Sequence, residues 1–370
     1  MTLALTRKQL AKRYEPPADY GFFGPDSVTW KVWSYPTSFI LGFVRSVTIE
    51  HLDPNLAAAV IQSGGVKYRP NTRYTRTLRY FGMVMFGATE PTTKAADVLV
   101  KVHSKAIGND PVTHGRYDAN KPSSQLWIHV TAWHSILRCY EMFGPGRLTE
   151  AEEAQYWAEC ARAAELQTID PATVPRSRDD VRQYFEDWRP HLAASEGAQD
   201  MVRFILTMSV ALPADTGRVV RLLMAPSLAV LRRGVIATYP QYIRDLFGLK
   251  QGRLTDALVR WPLKISHAVV ARSVLLTYAL GRFLAPAAFE TLAPVILKVK
   301  PLREITMTPR EAQAKYGFDI PSEAHPEIRE RQRDRVFSAG EKPSDEGLLE
   351  SEEHIGPMDA RDVVRVVQSA

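Results

Sequence analysis

"SSQLWIHVTAWHSILRCYEMF", Ser123 to Phe143, is the stretch on which the fold turns. Its apolar and aromatic residues recur at the spacing of a helix and not in strand alternation. Gly144 stops it, and Thr149 opens the next helix with acidic residues in its first turn. Two histidines, His129 and His134, sit in it with no carboxylate between them. A helix turns about 100° per residue, so they point about 140° apart. Zinc-protease histidines sit four apart on one face with a glutamate between, and this pair matches neither condition. His129 shares its face with Gln125, Leu126, Ala132, Trp133 and Ile136, an apolar and aromatic lining. His134 shares its face with Val130, Thr131, Leu137, Arg138 and Glu141. His129 is therefore the better candidate for a buried ligand. The ordinary alternative is a core imidazole satisfied by a backbone carbonyl.

The same period runs along the chain. It predicts helices over Tyr35–Ile49, Asn55–Gln62, Asn71–Phe86, Pro91–Ile107, Ser123–Phe143, Thr149–Leu166 and Arg178–Trp188. Others follow over Gly197–Val210, Arg218–Arg233, Pro240–Phe247 and Thr255–Phe283. No repeat of solenoid length occurs. The expected fold class is all-α, a single large multi-helix domain over residues 1–300 that encloses a cofactor pocket. Residues 301–370 are charged and poor in large apolar side chains, which reads as an extended or partly disordered tail.

A chain of 370 residues can bury a sizeable core. The net charge of +6 is spread out. The densest basic run, "KYRPNTRYTRTLR" (Lys67–Arg79), reads as a solvated helix face, and no motif for nucleic acid accompanies it. Two cysteines without CxxC spacing, Cys139 and Cys160, fit a reducing compartment and the role of small buried hydrophobes. The N-terminus is basic and lacks an apolar core, so no secretory signal peptide and a cytoplasmic location are expected. No run reaches the roughly 18 apolar residues of a membrane span. The nearest, His267–Phe289, reads as a core helix or as one lying against a membrane, so peripheral membrane contact is a further expectation.

A third histidine follows the first pattern. His103 falls on the stripe Ala96, Leu99, Val100, His103, Ala106, Ile107. Two consecutive helices, each with one inward imidazole and small residues nearby, suit a planar apolar cofactor with an axial base. There is no Glu-x-x-His for a di-iron site, no Gly-x-Ser-x-Gly, no Walker loop and no dinucleotide-binding glycine motif.

The ordered set of motifs resembles the MpaB/rubber-oxygenase family, from about Phe22 to Leu249. "RYTRTLRYFGMVMFG" carries Arg76, Thr77, Phe81 and Gly82, similar to the family's Arg-Thr and Phe-Gly elements. The central block carries His-x-x-x-x-Gly (His103, Gly108) and Gly-x-Tyr-x-Ala (Gly115, Tyr117, Ala119). Pro122 and Trp-x-His (Trp127, His129) complete it.

The resemblance implies a mostly helical fold that binds haem b. By the family pattern it makes His129 the proximal iron ligand and places the helix through His103 on the distal side. The expected cofactor contacts are His129, His103, Arg76, Thr77, Leu99, Trp127 and Trp133, with His103 as the catalytic residue. Rubber oxygenases supply an arginine and a lysine from the distal helix, where this sequence aligns Ala95 and Val98. Asp53 stands before Pro54 where the family often has histidine. The expected activity is that of a haem-dependent oxygenase using O₂ on a lipophilic small molecule of prenyl or unsaturated-lipid type. The alternative is a haem- or lipid-binding helical protein without turnover.

Overall fold

A computed structural model describes residues 6–62, 69–110, 114–213, 216–345, 347–359 and 362. These residues form an almost wholly helical structure, as the periodicity predicted. At its centre lies α7 (Pro122–Phe143), with Pro122 in its first turn and Gly144 behind it. Proline is favoured there because the first helical N–H groups lack intrahelical partners. Trp127, His129, Val130, Trp133, Ile136, Leu137, Cys139 and Phe143 are all buried, so this helix is core on most of its circumference.

Against it packs α3 (Phe43–Glu50), continuous with a π-helical turn at Ser38–Gly42. The crossing is close. A Cβ at Gly42 would stand 2.7 Å from Ile136 Cδ1, nearer than side chains approach one another, so glycine sets that separation. A second close crossing joins α5 (Pro70–Phe86) to α15 (Pro286–Leu297), where a Cβ at Gly82 would lie 3.1 Å from Ala288.

α6 (Thr89–His103) ends earlier than the predicted Ile107. Residues Ile107–Asn109 instead form a strand, β1, antiparallel to β2 (Arg116–Asp118). Gly108 pairs with Tyr117, whose ring covers the space a Cβ would need. This small hairpin accounts for the glycine and tyrosine of the central motif. It also brings the end of α6 beside the start of α7. Asn120, two residues past β2, donates from its side-chain amide to Val100 O at 2.8 Å.

The long helix predicted over Thr255–Phe283 is two: α13 (Arg253–Ala271) and α14 (Val274–Leu284), bent by 112°. Ser273 caps the second through its side chain, which accepts from Leu276 N. Backbone capping there outweighs the continuous apolar pattern that suggested one helix.

The expected extended tail is corrected over its described residues. Beyond Lys300 lie α16 (Pro309–Tyr316), α17 (Pro321–Arg333) and α18 (Leu348–His354), all packed against α6. Of its few apolar side chains, Ala312, Ile328 and Ile355 are buried, while Leu302, Ile305, Leu348 and Leu349 are exposed. Its charges find partners too. Arg329 and Arg333 lie 3.6 and 3.7 Å from Asp118. Asp362 accepts from Asn71 Nδ2 at 2.7 Å and from Thr72 N at 2.6 Å, so it caps α5 from nearly 300 residues away.

Candidate active site

A cavity of about 430 Å³ lies among α3, α5, α6, α7 and the tail. From α5 come Arg73, Arg76, Thr77 and Tyr80, one stripe at positions i, i+3, i+4 and i+7. From α6 come Leu99 and His103, from α7 Gln125 and Ile128, and from α3 Glu50. Gln167 closes one side, and Leu348, Ser351 and Ile355 of the tail cover another. The basic run expected to be a solvated face therefore turns its Arg73 and Arg76 inward.

Four of the expected contacts meet here: Arg76, Thr77, Leu99 and His103. Trp127, Trp133 and His129 do not line this cavity. Trp127 stacks on Trp188 at 5.0 Å and donates from Nε1 to Glu50 O at 3.2 Å. Trp133 sits in an aromatic cluster with Trp33, Phe23 and Tyr156. His129 is engaged at both ring nitrogens. Nε2 lies 2.7 Å from Cys160 O, and the Gln167 amide nitrogen lies 3.0 Å from Nδ1. The Cys160 carbonyl fixes Nε2 as the protonated nitrogen, and Nδ1 accepts from Gln167. This is the core imidazole satisfied by a backbone carbonyl that the sequence left open as the alternative. Burial lowers its pKa to about 4, with the Cys160 bond opposing, so it is neutral.

His103 differs. The Gln125 amide nitrogen is 3.4 Å from its Nδ1, longer than an ordinary hydrogen bond, and Nε2 has no partner among the described residues. Burial and then the Arg73 charge lower its pKa to about 4, so this ring on the cavity wall is also uncharged at neutral pH.

Three buried polar atoms of cavity residues are orphaned: Tyr80 Oη, Gln167 Oε1 and Arg76 Nε. Buried polar groups normally find partners, and each orphan costs about 1–3 kcal/mol. All three border one hollow, where a polar or amphiphilic guest could satisfy them. Burial raises the Tyr80 hydroxyl well above its ordinary range, so it stays a proton donor. Burial likewise raises the Glu50 carboxyl to about 8, with Arg73 opposing, so Glu50 is mostly protonated at neutral pH.

That shift has a consequence for stability. Between the ordinary carboxylate value and about 8, folded Glu50 holds a proton that the unfolded chain has lost, so its contribution falls as pH rises. Glu50→Gln keeps the shape and removes the titration. The variant gains thermal stability relative to the parent as pH goes from 5 to 8, by about 2–5 °C. Parallel melting curves across that range would refute the assignment.

Two other hollows lie apart from this one. His134 lines a separate cavity of about 400 Å³, with its Nδ1 3.5 Å from Arg45 Nη1 and its ring 4.9 Å from Phe185. It shares nothing with the His103 cavity. A wider hollow of about 840 Å³ near the N-terminal segment includes Asp19. That carboxylate is already spent on Gly21 N, Thr89 N and the Thr89 hydroxyl.

Ala95 and Val98, the positions aligned with the polar distal pair, are fully buried apolar core. The cations at the cavity come from α5 instead. Arg73, Tyr80, Glu50, Gln167 and the tail residues were not singled out from the sequence. Only the α5 stripe carried a readable signal, a polar i, i+3, i+4, i+7 face on a helix whose other side is apolar.

Residues 30–272 match the family model described as ER-bound oxygenase mpaB/B′/Rubber oxygenase, catalytic domain. No curated protein and no solved structure matches the chain.

Proposed function

The chain belongs to the mpaB/rubber oxygenase family and is an oxygenase, an oxidoreductase; on that premise we propose that its α5–α6–α7 cavity takes haem b, with His103 as the residue that would hold its iron. The observation that carries this reading is the pairing, in one cavity, of a neutral imidazole with a free Nε2 and three orphaned polar atoms. The volume lies in the ~300–1,000 Å³ range of small-molecule and cofactor sites. The donor set fits an amphiphilic planar group. Leu99, Phe81 and Ile128 supply apolar wall, and Arg73 and Arg76 would hold its carboxylates.

Bound there, the haem iron supplies the O₂ chemistry. The chain's own residues do the rest. His103 stays uncharged and so keeps a lone pair for a metal at neutral pH. Glu50 holds its carboxyl proton to about pH 8 and Tyr80 holds its hydroxyl proton, giving the cavity two neutral donors. On the tail side the buried Ile355 keeps water from one wall. The substrate that such walls accept is a lipophilic small molecule.

The test is an absorption titration of the purified protein with haem, followed by O₂ uptake. A saturable Soret band at one equivalent, with O₂ consumed on adding an unsaturated lipid, is the expected result. No haem binding sinks the cofactor assignment. Binding without O₂ uptake leaves the non-catalytic haem-binding reading.

A further inference from the structure

Helices α11 (Arg218–Ala237) and α13 are each apolar on two sides. On α13 the inward stripe is Val259, Leu263 and His267. A second stripe, Leu254, Leu258, Trp261, Ile265 and Val269, falls within about 80° on the opposite side. It is open to solvent, with Leu254 74%, Leu258 65% and Trp261 66% exposed. α11 repeats the pattern. Met224, Leu228 and Leu231 pack on the core, while Val219, Leu222, Leu223 and Val230 lie outward and exposed. The two helices pack on each other. An amphipathic helix needs one apolar side, and two neighbours with a second one each expose far more than scattered surface leucines do.

The charge pattern says what covers this surface. α11 carries Arg218, Arg221, Arg232 and Arg233, and α13 carries Arg253, Arg260 and Lys264. None of the seven is in an ion pair among the described residues. The single acid on either helix, Asp256, is held by Arg244 at 2.8 Å. Lys264 Nζ lies 5.9 Å from the centre of the Trp261 ring, an indole beside an amine, the pairing that suits a bilayer interface. No single helix among the described residues is long and apolar enough to cross a membrane.

We propose that α11 and α13 form a docking face that lies on an anionic lipid bilayer. The outward leucines and Trp261 enter the boundary between headgroups and acyl chains, and the unpaired cations meet lipid phosphates and carboxylates. A second copy of the chain is the poorer occupant. A two-fold contact would set one all-basic rim against another and would supply no acid to either. The proposal stands apart from the cavity and its cofactor.

The test is flotation of the full chain with phosphatidylcholine vesicles, with and without phosphatidylserine, at low and high salt. The chain floats with the phosphatidylserine vesicles at low salt and much less at high salt. Trp261→Glu and Leu258→Glu each weaken partitioning more than about tenfold, since each removes one interfacial apolar side chain. Both side chains are exposed, so circular dichroism and melting temperature stay those of the parent. Arg260→Glu with Lys264→Glu removes the salt-sensitive part. Failure to float at low salt overturns the proposal. So does a lipid-free dimer that Trp261→Glu converts to monomer, which would make the face a contact between copies.

Discussion

With haem in the cavity as proposed, His103→Ala loses it and His129→Ala keeps it. Among the described residues His103 is the cavity imidazole with an unpartnered nitrogen, so its removal takes away the group that would hold the iron. Partners that merely orient a ligand cost 10–100-fold in metal affinity, so loss of the ligand weakens haem binding on the order of 100-fold or more. The Soret band of the purified variant falls accordingly, and added imidazole restores part of it. His129→Ala acts on the fold. It strands the Cys160 carbonyl and the Gln167 amide and opens a cavity beside Trp133. That costs about 2–4 kcal/mol and lowers the melting temperature, with the haem spectrum unchanged. His134→Ala lies in the other cavity and leaves the spectrum alone. Loss of the Soret band in His129→Ala with retention in His103→Ala would return the axial role to the Trp-x-His histidine.

The pattern of success and failure in the sequence follows from range. Local periodicity sufficed for the helices, because each buries one stripe and the stripe repeats every 3.6 residues. It also put His103 and Leu99 on one inward face, and both line the same cavity. Helical phase could not say which inward imidazole meets a cavity and which meets a carbonyl. His129 and His103 each lie on an apolar stripe, and what separates them is Cys160 O, 31 residues along on another helix. The Arg73–Arg76–Thr77–Tyr80 stripe was legible as a face, but a cation run looks the same turned to water or to a guest. The break at Ser273 was hidden because both halves are apolar. The outward stripe on α13 was hidden because a helix apolar all round reads as core. The tail was misread for a related reason. Mean composition reports what a segment has on average, while docking depends on where its few apolar and acidic residues land.

A stop after Thr308 removes α16, α17, α18 and Asp362, and it destabilises the remaining chain severely. An extended tail, as the composition suggested, would have been dispensable. Three contributions decide the sign. Asp362 satisfies Thr72 N and the Asn71 side chain at the start of α5, and loss of such a cap costs about 0.5–2 kcal/mol. Ile328 and Ile355 are buried, at about 1.5–3 kcal/mol for each large apolar side chain. Asp118, almost fully buried on β2, loses both Arg329 and Arg333, its neighbouring cations. Together these come to several kcal/mol out of a usual total of about 5–15. The truncated chain melts at least about 10 °C lower. Its cavity loses the wall of Leu348, Ser351 and Ile355, so haem binding weakens as well. Asp362→Ala separates the cap from the cover. It costs about 1 kcal/mol and leaves haem binding as in the full chain. A truncated chain with the melting temperature and haem content of the full one would show that the tail helices rest on the structure without holding it.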